Sequence, residues 1–164
     1  MLSGSISKLD YKNSIGLILR TADKSLERAI DSEMKERCGL TASQWKVILV
    51  LSIRDGISQK DLADLISVEG PTLVPVIDKM ENSGFLDRKT EPSDRRSNKI
   101  FLTDKSINLV EDIVKTILDF RVMMTKGISK SDIECTKAVL QKMTQNTEEF
   151  MQIKGQTVLP TLLK

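Results

Sequence analysis

The sequence predicts a mainly α-helical fold carrying a small two- or three-stranded β wing. Three observations lead there. Of 164 residues, 40% are hydrophobic but only 4% aromatic, so Leu, Ile, Val and Met must build the interior, which suits helices better than a sandwich. Apolar residues recur every three or four positions along most of the chain, the spacing of one helical face. Between Phe85 and Leu102 that period gives way to two strand-like segments around a polar stretch, the pattern of a hairpin.

From Ser14 the positions Ile15, Ile18, Leu19, Ala22, Leu26, Ala29 and Ile30 mark a long amphipathic helix, which stops near Cys38-Gly39, where glycine accepts a left-handed cap. Thr41 caps a second helix with interior Trp45-Lys46-Val47-Ile48-Leu49-Val50-Leu51, ended by Asp55-Gly56. Ser58 with Asp61 three residues on opens a short helix through Leu62, Ala63, Leu65 and Ile66. Pro71 suits the first turn of the next, and Leu73, Val76, Ile77 and Met80 carry it to Ser83-Gly84.

Phe85 to Thr90 then reads as a strand, Glu91 to Ser97 as a polar loop, and Asn98 to Leu102 as a returning strand. Thr103-Asp104 caps a helix lined by Ile107, Val110, Ile113, Val114, Ile117, Leu118 and Met124. Ser129 or Ser131 opens a last one through Ile133, Val139, Leu140, Met143 and Phe150. The chain divides into an N-terminal helix (1–40), a winged helix-turn-helix unit (41–103), C-terminal helices (104–152) and a tail (153–164).

Charge narrows the function. There are 25 basic and 23 acidic side chains, no histidine and two cysteines, which removes His-based acid–base catalysis, His-ligated metal and Cys-rich zinc sites. No enzyme activity and no cofactor are expected. The longest aliphatic run, Val47 to Leu51, is far short of the ~20 residues that cross a bilayer. The first residues lack a basic segment leading into an apolar core, so a cytoplasmic protein without membrane contact is expected. Cys38 and Cys135 read as ordinary thiols, and the seven methionines as core filler.

Two short helices, a tight turn and a hairpin put one helix into a major groove and the hairpin tip along a neighbouring groove. Between Phe85 and Ile100 five basic residues (Arg88, Lys89, Arg95, Arg96, Lys99) face three acidic ones, an excess of +2 equal to that of the whole chain. Adjacent arginines at a tip suit phosphate and the negative potential of a narrow minor groove, and Asp94 beside them can orient one by a salt bridge. Lys79, Arg88 and Lys99 are further candidates for phosphate. The alternative is a helical protein-interaction module that keeps the fold without specific DNA binding, in line with the modest net charge and with Glu69 and Pro75 where a strong reader carries arginine.

Four segments, in order and spacing, resemble the MarR family of transcriptional regulators: Leu40-Thr41-Ala42-Ser43-Gln44-Trp45; Gln59-Lys60-Asp61-Leu62-Ala63; Pro71 to Phe85; and Asp94-Arg95-Arg96-Ser97 through Leu102-Thr103-Asp104-Lys105. The resemblance implies a homodimer whose terminal helices interlock into a dimerisation lobe, with one winged helix-turn-helix per subunit on a pseudo-palindromic operator. It implies a recognition helix at Pro71 to Ser83, with Thr72 at its DNA-facing start and Ser67 and Glu69 in the preceding turn. It further implies wing contacts from Arg95 and Arg96, with Asp94 holding one of them. Many members carry arginine at the position of Pro75, where this chain has neither the charge nor the backbone donor. The resemblance also implies a repressor released by a small phenolic or aromatic acid bound between the lobes, for which Arg20 and Trp45 are candidate contacts. Left to default chemistry, Trp45 is core and Arg20 a surface or inter-subunit ion pair.

Overall fold

The structure is a computed structural model describing the backbone of residues 11–91 and 94–154, and their side chains except at 12, 91 and 94–97. A short 3-10 turn (Tyr11–Asn13) leads into α1 (Ile15–Cys38), followed by α2 (Ala42–Ile53), β1 (Ile57–Ser58), α3 (Gln59–Leu65), α4 (Gly70–Asn82), β2 (Leu86–Glu91), β3 (Asp94–Leu102), α5 (Asp104–Met124) and α6 (Lys130–Ile153). The mainly helical chain with a small β wing is what the sequence predicts.

Local chemistry sets the boundaries. Gly39, at φ 68°, ends α1 in the left-handed conformation, with its N–H donating to the Lys35 carbonyl. The Gln44 side-chain oxygen accepts from the N–H of Thr41 at 2.9 Å and so fixes the start of α2. Ser58 accepts from the Asp61 N–H at 3.0 Å at the head of α3, and Ser129, rather than Ser131, does the same for Asp132 at the head of α6, at 3.1 Å.

The sheet is antiparallel in the order β1-β3-β2. Gly56 admits β1: its φ is +69°, and a Cβ there would lie 2.7 Å from the Phe101 ring, so the chain can pass this close only without a side chain. β3 begins at Asp94, four residues earlier than the polar pattern suggests, and Glu91 pairs with Asp94 across the hairpin. Main-chain groups make the ladder, so polar side chains on an exposed hairpin do not end it.

The core sits in the winged unit. Val47, Ile48, Val50 and Leu51 of α2, Leu62 of α3, Leu73, Ile77 and Met80 of α4, and Leu86 and Ile100 of the sheet are all buried. Met34 of α1 and Ile113 of α5 plug the same core from the lobe side. Thr103 donates to the Gly84 carbonyl and the Ser106 hydroxyl to the Phe85 carbonyl, which ties the start of α5 to the α4–β2 junction.

Beyond that junction α1 and α5 pack on each other. Arg37 crosses between them, to Asp119 at 2.7 Å and to Glu33 of its own helix at 2.8 Å. The hydrogen bond to Asp119, with both carboxylates' charge, raises the Arg37 guanidinium above its ordinary value. α6 buries none of its residues. Among the described residues, large apolar side chains stand exposed along α1 (Ile15, Ile18), α5 (Leu118, Val122) and α6 (Phe150, Ile153), with Val122 at 74% and Ile153 at 83%.

Candidate nucleic-acid interface

The helix-turn-helix is built from α3, α4 and the turn between them. Leu62, Ala63 and Ile66 face inward to meet Leu73, Ile77 and Met80, whose spacing puts them on one side of α4. The turn is tight because Ser67 takes φ +58°, a left-handed conformation that L-residues other than Asn and Asp rarely occupy. Val68 N–H then returns to the Ala63 carbonyl at 3.0 Å and Ser67 N–H to the Asp64 carbonyl at 3.2 Å, closing α3 where glycine is usual.

Glu69 occupies the N-cap of α4 without a side-chain capping bond, and its carbonyl accepts from the N–H groups of Thr72 and Leu73. With one side of α4 buried, the first two turns show solvent Gly70, Pro71, Thr72, Val74 and Pro75, and Lys79 follows one turn later. Pro75 lies inside the helix. It has no N–H for the Pro71 carbonyl, and a proline in a helix interior costs about 3 kcal/mol. It avoids the packed side: Pro75, Val76 and Lys79 of α4, with Thr41 and Gln44, border a shallow hollow of about 230 Å³.

Of the DNA contacts expected from sequence, Ser67, Glu69, Thr72 and Lys79 come together as exposed residues of the turn and α4. Lys99 lies half-buried on the central strand, with its backbone opposite Lys89 and Ser58. The side chains of Asp94, Arg95 and Arg96 lie outside the described residues. Their backbone lies in β3, where Arg95, Arg96 and Ser97 fall between the pairs Glu91–Asp94 and Thr90–Asn98 with no partner residue in β2. Such a bulge bends and re-aims a strand end.

Arg88 departs from its expected use. Its guanidinium turns inward, to Asp78 at 2.6 Å and Glu81 at 3.0 Å, with the Gln59 oxygen at 3.5 Å, and Nε is buried without a partner. The side chain is 22% exposed, so α3, α4 and the wing meet on one half-buried cation. Arg88 thereby ties α4 to the hairpin. The acids at i and i+3 of α4 are visible in the sequence. That Arg88 would meet them required the strand to fold back beside the helix.

Trp45 is 8% exposed and its indole N–H donates to Asp31 of α1 at 2.8 Å, so the ring packs α2 against α1. Arg20 is exposed on α1 and borders a groove of about 640 Å³ with Leu17, Thr21, Lys24, Ser25 and Arg28. Trp45 is not among the described residues of that groove, so the two candidate effector contacts are not brought together. The same groove carries three cations, Arg20 and, beyond the expected candidate, Lys24 and Arg28. Their spacing of four residues was the signal for a shared face. Among the described residues no helix is long and apolar enough to cross a membrane.

Residues 40–97 match the model of the MarR family. The transcriptional regulator PA3341 shares 31% identity and superimposes with a TM-score of 0.74, over 83% of this chain and 99% of that one. The transcriptional regulator SlyA shares 27%, with a TM-score of 0.69 over 88% and 98%. The repressor CouR, solved on a 23-mer DNA duplex, has the same fold at 23% identity, with a TM-score of 0.72 over 82% and 94%. CouR from Rhodococcus jostii RHA1 has also been solved with p-coumaroyl-CoA, matching here at 18% and a TM-score of 0.68 over 80% and 92%. With its winged helix-turn-helix between long flanking helices, this chain belongs to the MarR family of transcriptional regulators.

Proposed function

We propose that the chain works in the cytoplasm as a homodimeric, sequence-specific DNA-binding repressor that a small anionic or aromatic ligand releases. The observation that carries DNA reading is α4: one side is locked into the core, and the other, with the helix N-terminus, is bare to solvent. Backbone N–H groups and the dipole make that end attractive to a phosphate. In this reading α4 enters a major groove while Arg95 and Arg96 of the wing grip the neighbouring groove, Asp94 orients one of them, and Ser67 and Lys79 take phosphates.

Dimerisation is supported by the large apolar side chains exposed along α1, α5 and α6, since exposed apolar surface of this kind marks an interaction site. Division at about residues 40 and 103 follows, with the flanking helices forming the dimer lobe. CouR has been solved on DNA and with p-coumaroyl-CoA, and the groove beside Arg20, Lys24 and Arg28 suits the anionic end of a comparable effector. Trp45, engaged with Asp31, serves packing.

The test is a salt titration of binding to duplex DNA from the chain's own promoter region. Each phosphate contact contributes about 0.9 to the slope of log K against log salt. The Arg95→Ala/Arg96→Ala variant should therefore bind more weakly and with a shallower slope. Binding indifferent both to salt and to this pair contradicts the proposal.

A further inference from the structure

We infer that the recognition helix selects its operator through thymine methyl groups, read by the apolar surface of Thr72 and Pro75, rather than through guanine-directed hydrogen bonds. This rests on the DNA-binding reading above and adds a base preference to it. Helix-turn-helix proteins contact base edges with the first residues of the recognition helix. Here those exposed residues are Gly70, Pro71, Thr72, Val74 and Pro75. Among them only Thr72 carries a polar side-chain atom. The forks that select guanine come from arginine or lysine, and those that select adenine from asparagine or glutamine. None stands in these two turns.

Of the neighbouring charges, exposed Lys60 borders Gly70 and Val74 but belongs to α3, the helix that crosses the backbone instead of entering the groove. Glu69, exposed at the N-cap, is acceptor-only when ionised and so cannot donate to guanine O6 or N7. Lys79 lies a full turn beyond Pro75, away from the end that enters the groove. Arg88 of the wing is committed to Asp78 and Glu81.

What α4 offers is a shaped apolar face. Leu73, Ile77 and Met80 fix its rotation by burial, so Thr72 and Pro75 are held outward on the opposite side. In the major groove the apolar feature is the C5 methyl of thymine, and a threonine methyl or another apolar side chain is its usual partner. Pro75 further suits the task because its ring is rigid and loses no rotamer freedom on contact.

Uracil in place of thymine tests this, since it removes the methyl and keeps the base pair. A duplex is first selected from a random pool by the full-length protein, and thymines are then replaced pairwise at symmetry-related positions. At one such pair affinity should fall about fifteenfold, near fourfold for each buried methyl. With Thr72→Ser/Pro75→Ser the same replacement should cost less than about twofold, because the apolar partner surface is gone. Equal binding of thymine and uracil duplexes by the unaltered chain, after a sequence has been enriched, overturns this inference and leaves DNA binding standing. A pool that yields no enriched sequence overturns the proposed function and this inference together.

Discussion

Ser67 and Arg88 carry most of what single residues decide here. Ser67 holds a left-handed backbone at the turn that sets α4 across α3, and that conformation costs an ordinary L-residue about 1–2 kcal/mol. Ser67→Gly should therefore stabilise the protein by about 1 kcal/mol in urea unfolding, while weakening DNA binding if the hydroxyl meets a phosphate. Loss of stability would show that the turn does not hold this conformation. Arg88 is different, because removing it leaves Asp78 and Glu81 unneutralised on α4. Arg88→Ala should cost about 1–2 kcal/mol of stability and lower DNA affinity by repulsion. Adding Asp78→Asn and Glu81→Gln should restore much of that affinity, whereas no recovery would mean that Arg88 touches DNA itself.

At the scale of elements, what was legible in the sequence is what neighbours in the chain decide. Gly39, Thr41, and Ser58 with Asp61 mark their helix ends because a cap is made within four residues, and at Thr41 the structure adds Gln44 as the acceptor. The start of β3 and the inward turn of Arg88 were not legible, since each depends on a partner brought close by folding. Trp45 was legible as core from its apolar surroundings, but its bond to Asp31 of α1 was not. The outward face of α4 could be drawn once Leu73, Ile77 and Met80 were placed on its buried side, and Pro75 then fell on the exposed one. Pro75→Ala should raise the unfolding midpoint, by up to about 3 kcal/mol of stability, and yet impair selection of the operator. A variant no more stable than the parent would show that the helix already accommodates the ring.

For the whole molecule, the modest excess of +2 matters less than its placement, because two protomers would present two wings and two recognition helices to one duplex. In the proposed dimer the apolar faces of α1, α5 and α6 would form the interface, so Ile18→Asp/Val122→Asp should shift sedimentation equilibrium towards monomer and weaken DNA binding in parallel. A dimer unaffected by both charges would place its interface elsewhere. With no histidine in the chain, no side chain has its ordinary titration between about pH 6 and 8. DNA affinity at fixed salt should stay within about twofold over that range, and a tenfold change would reveal a strongly shifted acid or thiol. Whether two linked winged helices read two half-sites on one face of DNA is decided by inserting five base pairs between the half-sites of a selected operator. Half a helical turn sends them to opposite faces. Affinity should fall by about a hundredfold or more, towards the non-specific level, whereas an unchanged dissociation constant would show that each winged helix binds alone.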